Sequence, residues 1–495
     1  MLQTTAREIA AVTGGELVGG ATGDELVTGT ARIDSREVGP GDLFAAFLGE
    51  HVDGHDFLDA ARTAGAALSL VTDAAAAAEH SLPAVRVDDV RDALAALARA
   101  QLARARQENP QLVVLAVTGS AGKTGTKDLL GTILRSAGPT VAPVGSFNNE
   151  LGLPLTVLQV TGETRFLVLE MGARGIGHIA ELTEIARPDV SLVLNVGSAH
   201  LGEFGSVDAI ARAKGELVDA LAPGGRAILN AEDRLVAAMA ERSAAPVVTW
   251  GFTTGDVRGA ELTLDEQARV AFTLEVPAGL TTLHGDAVAP GSFPVRPDLL
   301  GEHQAANVLA ALTAALMAGV DSASATAALD GATLASGQRM QVLRAGGALI
   351  IDDAYNANPD SLRQALKTLA HLGRRHRTIA VLGEMLELGP DTVRLHDEIG
   401  RLAVRLNIGQ LYVVGEGAAP IHHGASLEGS FGGESEYLDT VEEAIAVLER
   451  IVQPGDAVLL KSSRDAGLRR IAAPLVEHLA QRPAAEGTTG TGAAL

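Results

Sequence analysis

The middle of the chain alternates short, fully apolar runs with longer stretches in which apolar residues recur every three to four positions. Apolar runs of this length are typical of buried strands, and the longer periodic stretches are typical of helices that pack against them. The alternation predicts an α/β fold with a parallel sheet and crossover helices. The predicted strands are Leu112–Val117, Phe166–Leu169, Val190–Leu194 and Ala227–Leu229, and the helices include Lys127–Ser136, Asp208–Leu221 and His303–Ala318.

Similar patterns flank this middle part. Short apolar segments broken by the turn Gly39-Pro40-Gly41-Asp42, then the helical stretch Arg91–Gln107, predict a small α/β unit before it. A hinge is predicted at Ser336-Gly337, after which the alternation restarts in the manner of a dinucleotide-binding fold. The strands of this last unit are predicted at Ala348–Asp352, Thr378–Leu382, Leu411–Val414 and Ala457–Leu460.

These patterns predict three domains, at residues 1–108, 109–336 and 337–483, and a disordered Gly/Thr-rich tail at 484–495. A length of 495 residues agrees with about three domains. Residues 253–297, rich in Gly, Thr and Val, predict a peripheral antiparallel hairpin region without a recognisable motif.

Composition narrows the functional classes. Hydrophobic residues make up 47% of the chain and aromatic residues only 3%, so the cores must consist of Ala, Val and Leu. A net charge of −22 repels polyphosphates and argues against general nucleic-acid binding. The sequence has no cysteine, no signal-like start and no apolar run long enough to span a bilayer. We therefore expect a cytoplasmic, soluble protein without membrane insertion, and a monomer.

A candidate phosphate-binding loop follows the first central strand. It comprises Thr118, Gly119, Ser120, Ala121, Gly122, Lys123 and Thr124, and a helix follows directly. Glycines allow backbone amides to face phosphate oxygens, Lys123 can reach the terminal phosphates, and Thr124 offers a hydroxyl to Mg²⁺. The alternative interpretation is a glycine turn with an exposed lysine, and Ala116 replaces the first glycine of the general nucleotide-binding pattern.

Two strand ends supply candidate metal ligands. Glu170 ends the strand that begins at Phe166, and His200 follows the strand that ends near Asn195. Open α/β sheets bind ligands at the carboxyl ends of their strands, so both side chains are predicted to converge near Thr124. Each residue, taken alone, is more often structural.

With these residues in place, the chain resembles the Mur ligase family, whose shorter phosphate loop Thr-Gly-Ser/Thr-x-Gly-Lys-Thr matches residues 118–124. The resemblance implies an N-terminal domain that binds a UDP-sugar, a central ATPase domain, and a Rossmann-like C-terminal domain that closes over ATP. It also implies ATP and Mg²⁺ as cofactors, with Lys123, His200, Lys214 and Arg339 as catalytic residues.

The resemblance further assigns roles residue by residue. It implies that Thr124, Glu170, His200 and a carbamylated Lys214 bind the metal ions, that Asn307 contacts adenine, that Arg339 reaches the γ-phosphate, and that Asp353 binds the ribose. The loop residues Gly119 to Thr124 complete the ATP site. Asp34, Ser35, Arg36, Asn148, Asn149, Tyr355, Asn356 and Asn358 are implied to contact the substrates.

Within the family, the segment Asp352 to Ser361 resembles members that add D-alanyl-D-alanine to a UDP-N-acetylmuramoyl tripeptide. Members that add diaminopimelate or lysine usually carry a Tyr-Ala-His-Thr-Pro form instead. The implied reaction is ATP-dependent amide ligation through an acyl phosphate. The diaminopimelate- or lysine-adding ligases, folylpolyglutamate synthase and, from a different class, a phosphate-loop kinase remain alternatives.

Overall fold

The computed structural model describes residues 1–49, 52–197, 201–429 and 433–482, and its strands form three large sheets and one two-stranded sheet. His200 and the tail at 484–495 lie outside the described residues.

The first sheet has five strands in the order β2-β7-β6-β5-β4, in which β2 is antiparallel and the others are parallel, while β1 and β3 pair separately. The strands are β1 (Thr4–Thr5), β2 (Glu16–Val18), β3 (Leu26–Val27), β4 (Ala31–Arg32), β5 (Leu43–Ala45), β6 (Leu68–Val71) and β7 (Ala84–Arg86). The helices are α1 (Ala6–Thr13), α2 (Leu58–Ala64), α3 (Ala74–Glu79) and α4 (Val90–Glu108).

The central sheet has nine strands in the order β16-β15-β14-β13-β12-β11-β8-β10-β9. The strands are β8 (Val113–Thr118), β9 (Thr140–Val141), β10 (Phe166–Glu170), β11 (Val190–Val193), β12 (Arg226–Asn230), β13 (Val247–Gly251), β14 (Val257–Leu264), β15 (Val270–Val276) and β16 (Gly291–Val295). The helices are α5 (Lys123–Ala137), α6 (Gly152–Val157), α7 (His178–Ile185), α8 (Leu201–Phe204), α9 (Val207–Asp219), α10 (Arg234–Ala237), α11 (His303–Met317) and α12 (Ser322–Ala327).

The register of this sheet sets up the site. Every residue of β8 and β10 is buried, as expected for strands covered by helices on both faces. Glu170 is paired with Val117, and Val193 is paired with Thr118. The carboxyl ends of three neighbouring strands therefore lie beside the loop that leads into α5.

The third sheet has six strands in the order β17-β18-β22-β19-β20-β21, parallel except for the edge strand β17. The strands are β17 (Gln341–Ala345), β18 (Ala348–Asp352), β19 (Arg377–Leu382), β20 (Gln410–Val414), β21 (Ser435–Leu438) and β22 (Asp456–Lys461). The helices are α13 (Pro359–Leu372), α14 (Thr392–Arg405), α15 (Ala419–Glu428), α16 (Val441–Ile451) and α17 (Ala472–Ala480).

Not every hydrophobic core lies within a single predicted domain. One core combines α4 and the first sheet with residues of β8, β10 and α6, so the first and second units share it. The third sheet has a core on each face, one of which also includes Ala268 and Leu300 from the central unit.

The turn between β14 and β15 reaches the C-terminal unit. Ala268 in this turn is buried in the third unit's core, Glu266 pairs with Arg375, and His371 Nε2 lies 2.9 Å from the carbonyl oxygen of Asp265. The region from 253 to 297 therefore joins two units of the molecule.

The predicted α/β class, the crossover pattern and the antiparallel hairpin region are confirmed, whereas the exact domain limits stay a prediction. Within the described part of the chain, no helix combines the length and apolar character that crossing a bilayer requires.

Candidate active site

The predicted phosphate loop joins β8 to the first residue of α5. Gly122, at the helix start, has φ 83°, a left-handed conformation that favours glycine. A Cβ atom at this position would lie 2.3 Å from Asn307 Oδ1, so the side chain of Asn307 on α11 lies directly against the loop. The structure therefore brings the predicted adenine-contacting residue to the predicted phosphate loop.

The loop is held from the end of β11. Asn195 Oδ1 accepts from Ala121 N at 2.9 Å, and Asn195 Nδ2 donates to Ala121 O at 3.1 Å. Gly197 N also donates to Ser120 Oγ at 2.9 Å. Sequence reasoning did not single out Asn195, although its place at the carboxyl end of a buried strand was an available signal.

Lys123 lies within the cradle that its own loop forms. Its Nζ donates to Gly119 O at 2.8 Å. Burial lowers the pKa of the Lys123 ammonium, Glu170 opposes this effect, and Arg339 reinforces it. Lys123, Glu170 and Arg339 therefore act on one another electrostatically, as residues around a transferring phosphoryl group must.

Thr124 and Glu170 form the candidate magnesium site. Thr124 Oγ1 donates to Glu170 Oε2 at 2.7 Å, and Glu170 is 2% exposed. The other carboxylate oxygen, Oε1, accepts from Ser146 Oγ at 2.8 Å and from Asn148 Nδ2 at 2.9 Å. A hydroxyl and a carboxylate at adjacent positions are the oxygen donors that Mg²⁺ prefers, so these residues fit the ion.

The structure thus gives Asn148 a contact that sequence reasoning did not foresee. Its amide orients the candidate metal ligand Glu170, and Ser146, which was not predicted, does the same. Asn149 instead accepts from Gly152 N at 2.9 Å through its Oδ1. Within the described residues, no group of three or more His, Asp or Glu side chains is arranged to hold a metal.

Lys214 lies in α9 and is 4% exposed. Burial lowers the pKa of its amine well below the ordinary value, and the charge of Lys123 acts in the same direction. Carbamate formation requires a neutral amine. The environment of Lys214 therefore fits the predicted modification, because a buried amine of this kind is not a solvated surface lysine.

Arg339 follows the hinge and faces the loops of the central unit. Its guanidinium lies 4.2 Å from the ring centroid of Tyr355, and its buried Nε has no hydrogen-bond partner among the described residues. The flanking Gln338 and Met340 have φ of 59° and 51°. A cavity of about 350 Å³ lies here, lined by Val144, Gly145, Ser336, Gly337, Gln338, Arg339 and Tyr355. An unsatisfied donor beside a cavity fits an anionic ligand.

Asp353 forms part of a charged cluster between the second and third units. Its Oδ2 lies 2.5 Å from Lys461 Nζ, and its Oδ1 accepts from Met340 N at 3.0 Å. Burial lowers the pKa of the nearby His303 to about 4, although Asp353 opposes this effect. The predicted ribose-binding carboxylate is therefore fixed in place by the hinge and by β22.

The signature after β18 combines structural and surface positions. Asn358 caps α13 through a capping box with Ser361, while Asn356 is exposed and its carbonyl oxygen accepts from Lys461. A second cavity of about 160 Å³ is lined by Tyr355, Asn356, Leu386, Glu387, Ser463, Arg464 and Asp465. Tyr355 borders both cavities, so this residue is common to the two regions.

The N-terminal motif forms a local ion pair. Asp34 caps a short helical turn at Ser35, and Arg36 Nη2 lies 2.6 Å from Asp34 Oδ2. The hydrogen bond from Arg36 lowers the pKa of Asp34 to about 2. The side chains of Asp34 and Arg36 bond to each other among the described residues, so the predicted role of the motif in binding the UDP-sugar stays a prediction.

The second and third units approach closely at this site. A Cβ on Gly197 would lie 2.8 Å from Asp360 Oδ2, and one on Gly202 would lie 2.9 Å from Gly389 N. Gly202 N also donates to Glu387 O at 3.4 Å. The carboxyl edges of the two large sheets therefore face each other across the phosphate loop.

Comparisons with known proteins match parts of all three units. Family models described as "Mur ligase family, catalytic domain", "Mur ligase middle domain" and "Mur ligase, glutamate ligase domain" match residues 30–102, 117–315 and 338–464. The UDP-N-acetylmuramoyl-tripeptide–D-alanyl-D-alanine ligase of Mycobacterium tuberculosis strain H37Rv is 44% identical over 96% of this chain and 98% of the relative. The ligase of the same name from Escherichia coli K12 is 32% identical over 97% and 99%.

Solved structures agree with these relatives. A crystal structure of MurF from Acinetobacter baumannii has a TM-score of 0.81 and 31% identity, covering 96% of this chain and 99% of its own. MurF ligase from Thermotoga maritima in complex with ADP has a TM-score of 0.73 and 28% identity, covering 92% and 99%.

Proposed function

Since this chain belongs to the Mur ligase family, we propose that it is an ATP-dependent ligase that adds D-alanyl-D-alanine to UDP-N-acetylmuramoyl-tripeptide. Relatives with this name match almost the entire chain, including all three units. One structural observation carries the chemistry: the buried Thr124–Glu170 oxygen pair lies at the end of a glycine loop that also contains Lys123.

The first step is phosphoryl transfer. An oxygen of the tripeptide carboxylate attacks the γ-phosphorus of ATP, the bond to the β-phosphate oxygen breaks, and ADP leaves. Lys123 and Arg339 disperse the negative charge that spreads over the transferring group. The product is an acyl phosphate, which makes the carbonyl carbon a better electrophile than it was in the free carboxylate.

The second step forms the amide. The neutral amine of D-alanyl-D-alanine attacks the acyl carbonyl, a tetrahedral intermediate forms, and inorganic phosphate leaves as the carbonyl is restored. The proton from the nitrogen passes to solvent or to the departing phosphate. The close approach of the second and third units excludes water, which would otherwise hydrolyse the mixed anhydride.

In this proposal, Mg²⁺ would be held by Thr124, Glu170, His200 and carbamylated Lys214, and it would neutralise charge on the phosphate oxygens. Asn307 contacts the adenine and Asp353 contacts the ribose. The position of Asn307 beside the phosphate loop and that of Asp353 beside the segment after the hinge support these roles. Asp34, Ser35, Arg36, Asn148 and Asn149 serve the UDP-linked substrate, while Tyr355, Asn356 and Asn358 serve the nucleotide and amine site. The reaction belongs in the cytoplasm, because both ATP and the nucleotide-linked acceptor are made there, and we propose a monomer.

Phosphate release with different amines tests the proposal. We expect release from ATP only when the UDP-linked tripeptide and D-alanyl-D-alanine are both present, with formation of the pentapeptide product. Lys123→Ala should lower the rate about a hundredfold or more, because it removes a charge that stabilises the transition state.

Other outcomes identify the alternatives. Activity with diaminopimelate or lysine on the shorter dipeptide acceptor, and none with D-alanyl-D-alanine, indicates the other Mur ligases. Activity with glutamate and a folate indicates folylpolyglutamate synthase. A kinase leaves the label of γ-labelled ATP on its product, whereas a ligase releases it as inorganic phosphate.

A further inference from the structure

Two charged residues that this chemistry does not use are buried in the second turn of α5. The side chains of Lys127 and Asp128 are 0% and 3% exposed, and Lys127 Nζ lies 2.7 Å from Asp128 Oδ1. Burying an ion pair costs desolvation free energy, and this cost is offset only when the remaining hydrogen-bonding groups of both charges are satisfied. The partners of each charge therefore decide what the pair does.

Lys127 holds the segment that leads to the candidate metal site. We call residues 143–149, between β9 and α6, the acceptor loop. The Lys127 ammonium donates to the carbonyl oxygen of Pro143 and, at 2.9 Å, to that of Gly145. Two side chains that follow in this loop, those of Ser146 and Asn148, donate to the carboxylate ligand described above. The buried ammonium thus fixes the base of the acceptor loop on the helix that begins at the phosphate loop.

Asp128 holds the hinge. Its Oδ2 accepts from Ser336 N at 2.8 Å, although the two residues are 208 positions apart. Ser336 is 4% exposed, and its Oγ accepts from Gly145 N at 2.9 Å. The hinge residue is therefore bound both to the carboxylate on α5 and to the acceptor loop.

Arg339 follows Ser336 by three residues, and the backbone between them is constrained. Gln338 N donates to Gln341 Oε1 at 3.0 Å, and Tyr355 N donates to Gln338 O at 3.2 Å. A short, hydrogen-bonded segment of this kind transmits a displacement of Ser336 to the guanidinium of Arg339. Moving the acceptor loop therefore removes one of the bonds that set the position of this cation.

Resting on the function proposed above, we propose that Lys127, Asp128 and Ser336 form a positioning relay that couples the acceptor loop to Arg339. With the acceptor loop in place, Gly145 N and Asp128 hold Ser336, and Arg339 faces the phosphate loop. When the acceptor loop is displaced, Ser336 loses the hydrogen bond from Gly145 N, and the Lys127 ammonium loses its two hydrogen bonds to carbonyl oxygens of this loop. The relay makes phosphoryl transfer dependent on the UDP-linked substrate being bound at the acceptor loop. This dependence protects ATP from hydrolysis, in which its γ-phosphoryl group would pass to water.

The full-length enzyme with a single hydroxyl removed tests the relay. Ser336→Ala should lower kcat about fivefold, the effect of one hydrogen bond, while the Kd for ADP alone stays within about twofold. Ser336→Thr keeps the hydroxyl and should restore kcat. Ser322→Ala removes another buried hydroxyl, which donates to Ala289 O at 3.2 Å away from these loops, and should leave kcat unchanged.

A double-mutant cycle with Arg339→Lys tests whether Ser336 acts through Arg339. We expect the two effects on kcat to be non-additive, since both variants disturb the same cation. Additive effects, or an equal loss in Ser322→Ala, would overturn the relay. The melting temperature of each variant shows whether any loss of kcat reflects unfolding instead.

Measurements of ligand binding distinguish a failure of the relay from a failure of the proposed function. By calorimetry, the UDP-linked tripeptide should tighten ADP binding to the wild type and to Ser336→Thr, but less to Ser336→Ala. If the wild type binds both ligands with this coupling but forms no amide, the proposed function fails while the relay stands. Equal coupling in Ser336→Ala, or none in the wild type, overturns the relay.

Discussion

Lys214 illustrates, at the scale of a single residue, how surroundings change the chemistry of a side chain. A lysine on a solvated helix is a cation, but this one is buried in α9, and Lys123 adds like-charge repulsion. Both effects favour the neutral amine, which is the form that reacts with carbon dioxide. The product is an anion, so the reaction replaces repulsion of Lys123 with attraction.

We therefore predict that activity depends on carbon dioxide through Lys214. Depleting bicarbonate should lower the rate of phosphate release, and restoring it should recover the rate. Lys214→Ala should lower the rate about a hundredfold or more and abolish the bicarbonate dependence. The measurement is the rate itself, with ¹³C NMR of protein in labelled bicarbonate to detect the carbamate.

The exposed lysine Lys367 on α13 supplies the matched control, and Lys367→Ala should behave as the wild type. Full activity of Lys214→Ala, or a carbamate signal that persists in this variant, contradicts the assignment.

At the scale of elements, His396 connects α14 to the loop that follows β19. It is fully buried, its Nε2 accepts from Met385 N at 2.9 Å, and its Nδ1 donates to Thr392 O at 2.7 Å. This pattern requires the neutral ring with its proton on Nδ1, since a protonated Nε2 cannot accept. Burial accordingly lowers the pKa of His396 below the ordinary 6.5.

A pH dependence of stability follows. Because the pKa is lower in the folded state, the unfolded chain binds the proton first as pH falls, and unfolding becomes easier. The contribution of His396 is fully present above a pH of about 6.5 and is lost as pH falls below it toward the folded pKa. His396→Gln, which keeps an acceptor but does not titrate, should flatten the fall in the free energy of unfolding between about pH 7 and pH 5.

Urea unfolding over this pH range provides the measurement, with His423→Gln on the exposed face of α15 as the control. Burial raises the pKa of Asp352 to about 6, so the contribution of Asp352 to stability increases as pH falls, opposite to that of His396. The difference between the wild type and each variant therefore isolates the effect of His396 better than the wild-type curve alone. An unchanged slope in His396→Gln contradicts the prediction.

The sequence predicted elements well where the signal is local. The apolar run at Phe166–Leu169 is a strand, and the stretch at Asp208–Leu221 is a helix that spans Val207–Asp219. The predicted Glu170 contacts Thr124. The bond between Asp128 and Ser336 was not predictable, because no local pattern relates residues that only the folded chain brings together. The contact of Ser146 with Glu170 was not predicted for a similar reason, since a serine in a loop carries no distinguishing sequence signal.

At the scale of the whole molecule, the cores define cooperative units that differ from the sequence domains. The first and second units share one core, whereas the third sheet is covered on both faces largely by its own helices. Separating residues 1–108 from the rest exposes α4 and the apolar face of the first sheet. Separating residues 337–482 from the rest exposes much less apolar surface, because Ala268 and Leu300 are the core residues that the central unit contributes.

We predict that a fragment of residues 337–482 folds on its own and unfolds cooperatively, while a fragment of residues 1–108 does not. Far- and near-ultraviolet circular dichroism with thermal unfolding measures both. A fragment of residues 1–336 serves as the control and should fold, because it keeps the shared core intact. Cooperative unfolding of the 1–108 fragment contradicts this division.

The β14–β15 turn restricts how the C-terminal unit travels. Ala268 is embedded in that unit's core at one end of the interface, whereas Gly202 and Gly389 meet at another place with little side-chain bulk between them. We therefore expect the C-terminal unit, joined to the central unit through the Ser336 hinge and held by this embedded turn, to separate most readily where the two glycines meet. Lengthening the β14–β15 turn should therefore loosen the attachment of the C-terminal unit without changing any residue of the candidate active site.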